Sequence, residues 1–533
     1  MRERIIILGA GVMQGPAIRI AKELGLFTVA ADGSASAPCV AMADQFERID
    51  LKDKEGIEAL ARSLQKSGGL AGIMTAGTDF SATVAWVAER LGLPGIPYEA
   101  ALNASDKARM RACFKKAGLP SPEFTAITQS ELQEKPSLPF PLVVKPVDNM
   151  GGRGCRRVSN IEEYREAAAE AIRFSRSGRA IVEAFMDGPE FSVDAIVYHG
   201  EITITGLADR HIFFPPYFIE MGHTMPTDIA PEQQAALLET FCAGARALGL
   251  AGDTGAGAAK GDIKLTSKGP MIGEIAARLS GGYMSGWTYP YSSGAEPVRA
   301  AILAAIGRKP DGIAPLKAWT SAERAFISIP GTVKAVLGTD TARRRPFVKD
   351  LFFRIAPGDR VDFPRNNVSK CGNIISAAPD RASAVEAAES AARAVLIRLD
   401  PSDPTTGEFL SPGGTDFPPD AFQLSEELRA ALEKLPDGGE QPLSPAMLIP
   451  FPEFQASGLK DYAGRGVAES LEAVRELSGL KLPEFSVENA KKSPESSDNN
   501  RSNFLGKPFW EALVRGGYQG ALYYIEKLTT KEK

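Results

Sequence analysis

Short apolar runs alternate with amphipathic stretches over the first hundred residues. The runs Arg4–Leu8, Phe27–Ala31 and Leu70–Thr75 predict β-strands, and helical patterns follow the first and the third of them. Strands that alternate with helices form parallel sheets with helices on both faces. The pattern therefore predicts a doubly wound parallel sheet over residues 1–100.

The pattern changes after residue 100. Ser105–Ala117 predicts a helix, with Ser105 as its N-cap and Gly118 as its end. Short strands separated by glycine-containing turns dominate from Phe140 to Glu274, which indicates an α+β region. Further strands follow from Ala322 onward. Three longer helices are predicted among these strands, at Ile161–Phe174, Pro231–Leu248 and Ala382–Leu399.

Beyond Asp400 the chain becomes rich in Pro, Gly and Ser. Pro401–Asp420 and Pro442–Pro452 predict linkers, and the polar segment Ser493–Asn503 predicts disorder. The last of three helical patterns carries many aromatic residues, so we expect it to dock on another surface. The three patterns are Ser425–Leu435, Val467–Leu477 and Lys507–Lys527.

Composition excludes several classes of protein. A chain of 533 residues, with 44% hydrophobic and 24% charged residues, is expected to form several globular domains. Its 61 Lys+Arg and 66 Asp+Glu give a net charge of −5, too mild to suggest nucleic acid or an anionic membrane as partner. The apolar runs are too short to span a bilayer, and the first residues lack the features of a signal peptide.

The cysteine and histidine content predicts the compartment and the metal chemistry. The five cysteines are scattered without a CxxC, which predicts reduced thiols in a cytoplasmic protein. With three histidines, a His-based zinc site is not expected. Any metal would be held by carboxylates, which favours Mg²⁺.

Two glycine-rich turns are candidate phosphate sites. Gly9–Gly15 follows a strand and opens a helix, but its GxGxxxG spacing is one residue longer than the dinucleotide fingerprint. It either meets a phosphate or forms a tight strand–helix turn. The second turn, Gly151–Gly154, follows an apolar strand that ends near Lys145, so its backbone N–H groups could wrap phosphate oxygens beside an ammonium group. The alternative is an exposed hairpin turn.

A carboxylate pair is the strongest chemical signal. A hairpin centred on Lys268, with Gly269 in a three-residue loop, places Asp262 directly opposite Glu274. Two facing carboxylates repel unless a cation lies between them, which favours Mg²⁺; the alternative is neutralisation by lysines on the same face. Strand alternation predicts the two faces. Lys260, Lys264 and Arg278 join the acids, whereas Ile263, Leu265, Met271 and Ile275 form the apolar face.

These motifs follow one another in a recognisable order. The order is Ser105-Asp106-Lys107, Pro141-Leu-Val-Val-Lys145-Pro, Met150-Gly-Gly-Arg-Gly, Val182-Glu183-Ala-Phe-Met-Asp-Gly188-Pro-Glu190, Asp262, and Glu274-Ile-Ala-Ala-Arg278-Leu-Ser-Gly-Gly. It resembles the ATP-grasp superfamily, near the carboxylate–amine ligases and the relatives of biotin carboxylase. The resemblance covers about residues 1–400.

The resemblance implies an α/β and α+β multidomain protein. Residues 1–100 would form the pre-ATP-grasp domain. Residues 101–320 would form an ATP-grasp domain of two α+β lobes, with a glycine-rich lid lobe at 145–200. Residues 321–400 would form a small C-terminal α/β lobe. Residues 401–533 have no recognised counterpart and are expected to comprise linkers and a helical extension.

The resemblance also implies how ATP binds. Lys145 would contact the phosphates, Glu183 the adenine amino group and Glu190 the ribose. The alternative for Glu183 is a strand-end acid paired with a lysine. The Ala184 carbonyl and the Met186 amide would complete the contacts to adenine. The implied ATP-binding residues are Lys107, Lys145, Gly151, Gly152, Arg153, Gly154, Glu183, Ala184, Met186 and Glu190.

For metal binding and catalysis, the resemblance implies three residues besides Lys145. Asp262 and Glu274 would hold one or two Mg²⁺ ions, and Arg278 would bind the substrate carboxylate and steady an acyl phosphate. The family often has an Asn two residues after the second metal-binding Glu, where this chain has Ala276, so a second ion would be held less tightly or by another group. The Ser-Gly-Gly that follows Leu279 disfavours activation of bicarbonate for biotin.

The substrate residues are less sharply indicated. His211, Glu220 and His223 resemble a segment that faces the acceptor pocket of amino-acid ligases, and they could orient an amine or accept its proton. The alternative is loop histidines with local hydrogen bonds. The loop Ser280, Gly281 and Gly282 could hold a substrate beside the metal.

Three functions fit this sequence. The first is an ATP-dependent carboxylate–amine ligase, which forms an acyl phosphate that an amine attacks. The second is a purine-pathway-like ATP-grasp carboxylase that acts on a ribonucleotide. The third is a non-catalytic ATP-binding protein. The expected partners are small-molecule carboxylates and amines, with no nucleic acid or membrane, and the chain could also form a homodimer.

Overall fold

The computed structural model describes residues 2–411, 417–438, 447–479 and 504–530. The chain forms two compact units. The first runs to Glu323 and includes Ile375–Val385, and the second takes the remaining described residues. The predicted disordered segment Ser493–Asn503 lies outside the described residues. No helix in the described ranges is long and apolar enough to cross a membrane.

The first unit begins with a parallel sheet of order β3-β2-β1-β4. Ile5 and Ile7 pack on one face with helix α1, whereas Ile6 and Leu8 pack on the other with α2 and α3. Consecutive residues of β1 are therefore buried on opposite faces, as the doubly wound prediction requires. The elements are β1 Arg4–Leu8, α1 Gly15–Glu23, β2 Phe27–Asp32, β3 Gln45–Arg48, α2 Lys54–Lys66, β4 Leu70–Thr75 and α3 Ser81–Leu91.

The helix boundary near Ser105 differs from the prediction. Ser105 is the last residue of α4, Tyr98–Ser105, and Asp106 caps α5, Lys107–Lys116. Asp106 accepts hydrogen bonds from the backbone N–H groups of Ala108 and Arg109 at 2.8 and 3.0 Å. The predicted N-cap at Ser105 is wrong because the aspartate carboxylate satisfies two free N–H groups at once.

An antiparallel sheet of order β5-β8-β6-β7 packs against α6. It carries Lys145 and Glu183 on neighbouring strands, with Gly151–Gly154 between β6 and β7. The elements are β5 Phe124–Thr128, β6 Leu142–Pro146, β7 Arg156–Val158, α6 Ile161–Phe174 and β8 Arg179–Ala184.

Another sheet contains the run β13-β12-β9-β10-β11-β14, with antiparallel pairs from β13 through β11, and carries most of the other candidate residues. Its core contains Phe191, Phe241 and Ile263, together with residues of α4, α5 and α7. The elements are β9 Glu190–Tyr198, β10 Glu201–Phe213, β11 Ile219–Met225, α7 Pro231–Ala247, β12 Ala256–Thr266, β13 Gly269–Ala276, a π-helix at Met284–Thr288, α8 Tyr289–Ser293, α9 Pro297–Ala305 and β14 Thr320–Phe326. The predicted fold class, which combines α/β and α+β parts, is confirmed.

Helices and strands alternate from Gly331 onward, where β17, β15 and β19 form a sheet of the second unit. Parts of β18 and α11 belong to the segment Ile375–Val385 of the first unit. The helix predicted at Ala382–Leu399 ends at Ala394, and Leu396–Leu399 is strand β19, paired with β15. The elements are β15 Gly331–Leu337, α10 Thr339–Arg344, β16 Val348–Phe353, β17 Arg360–Val361, β18 Gly372–Ala378, α11 Arg381–Ala394, β19 Leu396–Leu399, α12 Pro404–Leu410, α13 Glu426–Glu433, β20 Met447–Leu448, α14 Pro452–Gln455, α15 Val467–Ser478, β21 Phe504–Leu505 and α16 Lys507–Thr530.

The last helix is docked within the second unit, as its aromatic residues predicted. Phe509 and Trp510 of α16 are fully buried in a cluster with Phe451 and Phe454. The Trp510 indole donates to the Ile449 carbonyl at 2.8 Å.

Candidate active site

Asp262 lies directly opposite Glu274 in the β12–β13 pairing, as the sequence predicted. The hairpin reaches this register by a different route. Thr266 pairs with Gly269, so the loop has two residues, and the register shifts by one residue between Asp262 and Ile263. A tight turn and a β-bulge together give the register that a three-residue loop would give.

The bulge at Gly273 changes the faces of the residues before it. Ile272 is fully buried in the core, whereas Met271 pairs with Lys264. The prediction that Met271 lies on the apolar face is therefore wrong. A Cβ at Gly273 would approach the Asp262 carbonyl oxygen to 2.9 Å, and the Gly273 carbonyl accepts a hydrogen bond from Arg111 at 2.5 Å. Because Gly273 has no side chain, its backbone can lie close to that of Asp262, and β13 can bulge here.

Cations surround both carboxylates. Lys107 Nζ lies 3.5 Å from Glu274 Oε1, Arg210 Nη1 lies 2.9 Å from Asp262 Oδ1, and Lys260 contacts Asp262 Oδ2. Burial by itself would raise the pKa of Glu274, but Lys107, Lys260, Lys145 and Arg278 lower it to about 2. Lys107 lowers this pKa most, followed by Lys260. The cations around Glu274 thus favour its ionised form, which can bind a metal ion.

This donor set fits Mg²⁺. The two carboxylates supply oxygen ligands and meet across the ladder. The described ranges contain no cluster of three or more His, Cys, Asp or Glu suited to a metal. An ion here would therefore complete its shell with phosphate oxygens and water, which is the usual habit of Mg²⁺ at nucleotide sites.

Glu183 joins two cations inside the protein. Its Oε1 accepts from Arg111 Nε at 2.8 Å, and its Oε2 lies 2.8 Å from Lys145 Nζ. Burial raises the pKa of Glu183, but the charges of Arg111 and Lys145 bring it below its ordinary value. Both oxygens of this carboxylate thus have cationic partners, and the pair orients Lys145. Sequence reasoning missed Arg111, which lies 72 positions from its partner.

The glycine-rich loop adopts the conformation that its sequence favours. Gly151, Gly152 and Gly154 have φ values of 70°, 74° and 66°, which other residues rarely adopt. Arg153 folds back, and its Nε donates to Asn149 Oδ1 and to the Met150 carbonyl, both at 3.1 Å. Lys107 Nζ donates to the Asn149 carbonyl at 2.9 Å, so the base of the loop lies near the carboxylate pair.

Four residues of the segment Ala184–Glu190 line a cavity of about 230 Å³, namely Phe185, Gly188, Pro189 and Glu190. Lys264 Nζ donates to the Met186 carbonyl at 3.0 Å, which ties the segment to β12. Gly188 has a φ of 77°, and a Cβ there would lie 2.1 Å from the Leu265 carbonyl oxygen. The cavity is lined by Phe185 and Tyr217, together with the charged residues Arg157, Glu190, Arg210 and Lys264.

Arg210 forms ion pairs with three carboxylates. Its guanidinium contacts Glu190, Glu220 and Asp262, at 2.5 Å for Glu220 and 2.9 Å for Asp262. Glu190 and His223 are its register partners on β9 and β11, so the three share one face. Sequence reasoning did not single out Arg210, although a charged residue next to a candidate His in a strand was a usable signal.

His223 and Glu220 lie on the site face, whereas His211 does not. His223 Nδ1 lies 2.8 Å from Glu323 Oε2, and its Nε2 lies 3.6 Å from Glu220 Oε2. Burial lowers the pKa of His223, but the two glutamates raise it above its ordinary value overall. His211 follows Arg210 in the strand, points to the other face and bonds Thr224 at 2.9 Å. Glu323 was missed at the sequence level.

The loop of Ser280, Gly281 and Gly282 is fixed at the edge of this face. Buried Asp194 accepts hydrogen bonds from the Ser280 backbone N–H, at 3.1 Å, and from the Ser280 hydroxyl. A Cβ at Gly282 would approach Glu220 Oε1 to 3.0 Å and His223 Cε1 to 3.1 Å. The structure therefore brings together the predicted residues Gly282, Glu220 and His223.

Arg278 and the N-terminal glycine turn Gly9–Gly15 also have defined contacts. The Arg278 side chain is nearly buried, and its Nη1 donates to the Leu279 carbonyl at 3.0 Å. At the N-terminal turn, Asp32 accepts from the backbone N–H groups of Ala10 and Ser34 at 2.9 and 2.8 Å. Asp32 thus stabilises this turn, which supports the tight-turn interpretation of Gly9–Gly15.

Comparison with known proteins agrees with this arrangement. Residues 138–285 match the ATP-grasp domain, and residues 325–400 match the L-amino acid ligase C-terminal domain 2. The chain thus carries an ATP-grasp domain, as its motifs predicted, and the match of residues 325–400 to a ligase domain agrees with the predicted carboxylate–amine ligase type.

Individual relatives match over different parts of the chain. The uncharacterized protein y4rH of Sinorhizobium fredii is 27% identical over 344 residues, which cover 63% of this chain and 70% of that protein. Carnosine synthase 1 of Gallus gallus is 25% identical over 42% of this chain, but the match spans 26% of the synthase. The crystal structure of L-amino acid ligase from Bacillus licheniformis shares the fold, with a TM-score of 0.66, 21% identity, and coverage of 75% of this chain and 99% of that one.

Proposed function

We propose that this chain is an ATP-dependent ligase that joins a carboxylate to an amine through an acyl phosphate, with amino acids as the substrate class. The facing pair Asp262 and Glu274, enclosed by cations beside the glycine-rich loop, carries the proposal. The relatives named as L-amino acid ligase and carnosine synthase support the substrate class.

ATP would lie between the two antiparallel sheets of the first unit. The backbone N–H groups of Gly151–Gly154 would bind the triphosphate, with Lys107 and Lys145 as cations. The nucleoside would enter the cavity at Ala184–Glu190, with the Ala184 carbonyl and the Met186 amide at adenine and Glu190 at the ribose. Because Arg111 and Lys145 already bind both oxygens of Glu183, its main task would be to hold Lys145.

Asp262 and Glu274 would hold Mg²⁺, which when bound would neutralise charge on the transferring phosphoryl group. Lys145 and Arg278 would stabilise the equatorial oxygens. A substrate carboxylate oxygen forms a bond to the γ-phosphorus while the bond to ADP breaks. The amine nitrogen then bonds the acyl carbon, the C–O bond to phosphate breaks, and the amine proton passes to the departing phosphate or to water.

Glu220, His223 and the Ser280–Gly282 loop would border the acceptor pocket. His223 is flanked by two glutamates that raise its pKa and favour the protonated imidazole, so it would orient a substrate carboxylate rather than accept a proton. His211 has no part in this proposal. A reducing, cytoplasmic setting is also proposed, supported by the free thiols of all five cysteines.

The test is release of phosphate from Mg-ATP in the presence of pooled amino acids. We expect release with at least one pool and none with Glu274→Gln, whose fold should be unchanged by circular dichroism. The matched control Glu23→Gln, in an exposed i,i+4 pair, should behave as wild type. If no pool stimulates release while ATP still binds, the ligase proposal fails. Release that requires bicarbonate and a ribonucleotide would favour the carboxylase.

A further inference from the structure

Lys260 and Ala276 face each other one step along the ladder from the metal pair. Lys260 is the register partner of Ala276 on β13 and of Asp194 on β9. Its Nζ contacts Asp262 Oδ2, and its side chain is 12% exposed. An ammonium group is therefore held beside the carboxylate pair, at the position where the opposite strand presents a methyl group that cannot bind a metal.

The two cations on Asp262 differ in what else they can bind. Arg210 contacts Oδ1 of Asp262 and also has Glu190 and Glu220 as partners. It can release Oδ1 to a metal and stay paired. Among the described residues, the ion pair of Lys260 is with Asp262. When an ion binds Asp262 Oδ1 and Glu274, we therefore expect Lys260 to remain paired with Asp262 Oδ2.

Charge sets the number of ions that the site can accept. Asp262 and Glu274 carry two negative charges; Lys260 and Lys107 contact them directly, as does Arg210, whose charge is shared among three carboxylates. Bound nucleotide phosphates add negative charge that one divalent ion, Lys145 and the loop can offset. A second divalent ion would have to share this small space with an ammonium group, and like charges at such distances repel strongly.

We propose that Lys260 takes the place of a second metal ion, so that the site works with a single Mg²⁺ per nucleotide. The inference rests on the proposed function for the nucleotide site, but it concerns ion binding and not turnover. In this proposal, the ammonium group of Lys260 neutralises negative charge on Asp262, as a second ion otherwise would.

The experiment counts bound Mn²⁺, a paramagnetic substitute for Mg²⁺, by equilibrium dialysis of the full chain at saturating ADP. We expect one ion per wild-type chain. The double variant Lys260→Ala with Ala276→Asn removes the ammonium and supplies an amide ligand, so we expect two ions. The control Lys268→Ala removes a charge from the exposed turn of the same hairpin and should leave the count at one.

Two ions per wild-type chain would overturn the inference, and this count depends on no variant folding correctly. A folded double variant that still binds one ion would also contradict it. Failure of the ligase proposal has a different signature: one ion per chain, with nucleotide bound, but no phosphate release with any pool of amino acids.

Discussion

Arg111 donates its Nε–H to Oε1 of Glu183 at 2.8 Å, and their side chains are 0% and 2% exposed. The pair links α5 to β8. Because Lys145 occupies the other oxygen of Glu183, the guanidinium sets the position of a lysine at the proposed phosphate site. A buried ion pair thus connects the stability of this lobe with the proposed nucleotide binding.

Substitution of Arg111 by Met should destabilise the first unit strongly. It leaves the Glu183 carboxylate buried with one cation, and loss of one partner of a buried pair costs about 3–5 kcal/mol. We expect a lower urea midpoint for this unit and weaker ADP binding. The control Arg19→Met breaks an exposed pair with Glu23, where the cost should be under about 1 kcal/mol. Equal midpoints for the two variants would contradict this account.

Replacement of Glu323 by Gln should lower the pKa of His223. The carboxylate faces Nδ1 at 2.8 Å, and a charge at this distance shifts a pKa by about 1–3 units. NMR titration of the Cε1–H signal measures this, with His199 and His211 as internal references. A His223 titration that does not move would refute the prediction.

The same contact predicts how stability depends on pH. The pKa of His223 is raised in the folded chain, so its contribution is complete below its unfolded value, about 6.5, and is lost as pH rises through the folded value. The thermal midpoint of wild type should therefore fall over that range. The Glu323→Gln variant should show a smaller fall, because its folded and unfolded pKa values lie closer together.

Gly188→Ala should disturb the cavity beside Glu190, whereas Gly118→Ala should not. Both Gly188 and Gly118 are left-handed, but a Cβ at Gly188 would lie 2.1 Å from the Leu265 carbonyl oxygen, whereas Gly118 has nothing within 4 Å. Left-handed strain alone costs about 1–2 kcal/mol, so Gly118→Ala should show that loss and normal ADP affinity. Gly188→Ala should weaken ADP binding about tenfold or more, since 1.4 kcal/mol of distortion suffices. If calorimetry gave equal ADP affinities for Gly188→Ala and Gly118→Ala, the close approach to the Leu265 carbonyl would not matter for ADP binding.

Trp510→Ala should destabilise the second unit by about 3–5 kcal/mol, the usual loss for a fully buried Trp. Scanning calorimetry is the suitable measurement, because two units can unfold in separate transitions. Phe213→Ala, at a side chain that is 51% exposed in the first unit, should leave both transitions almost unchanged. An unshifted transition in Trp510→Ala would show that the docked helix contributes little.

Several features followed from local sequence. The period of the apolar residues predicted the N-terminal parallel sheet, and the hairpin placed Asp262 opposite Glu274. The loop beneath that hairpin was predicted wrongly, because a turn and a bulge can compensate in register. The end of α11 was also wrong, because Leu396–Leu399 pairs with β15, a strand about sixty positions earlier. Pairing between distant segments has no local pattern.

The sequence by itself determined the chemistry: a glycine-rich loop, two carboxylates in register, and lysines at fixed positions on their strands. Local spacing suffices for these features because turns and strand alternation act over a few residues. Tertiary structure alone decided the partners. Arg111 meets Glu183 across 72 positions and His223 meets Glu323 across 100, because sheet order and helix packing bring them together. Burial then requires each of these charges to have an opposite charge beside it, and this requirement shapes the site.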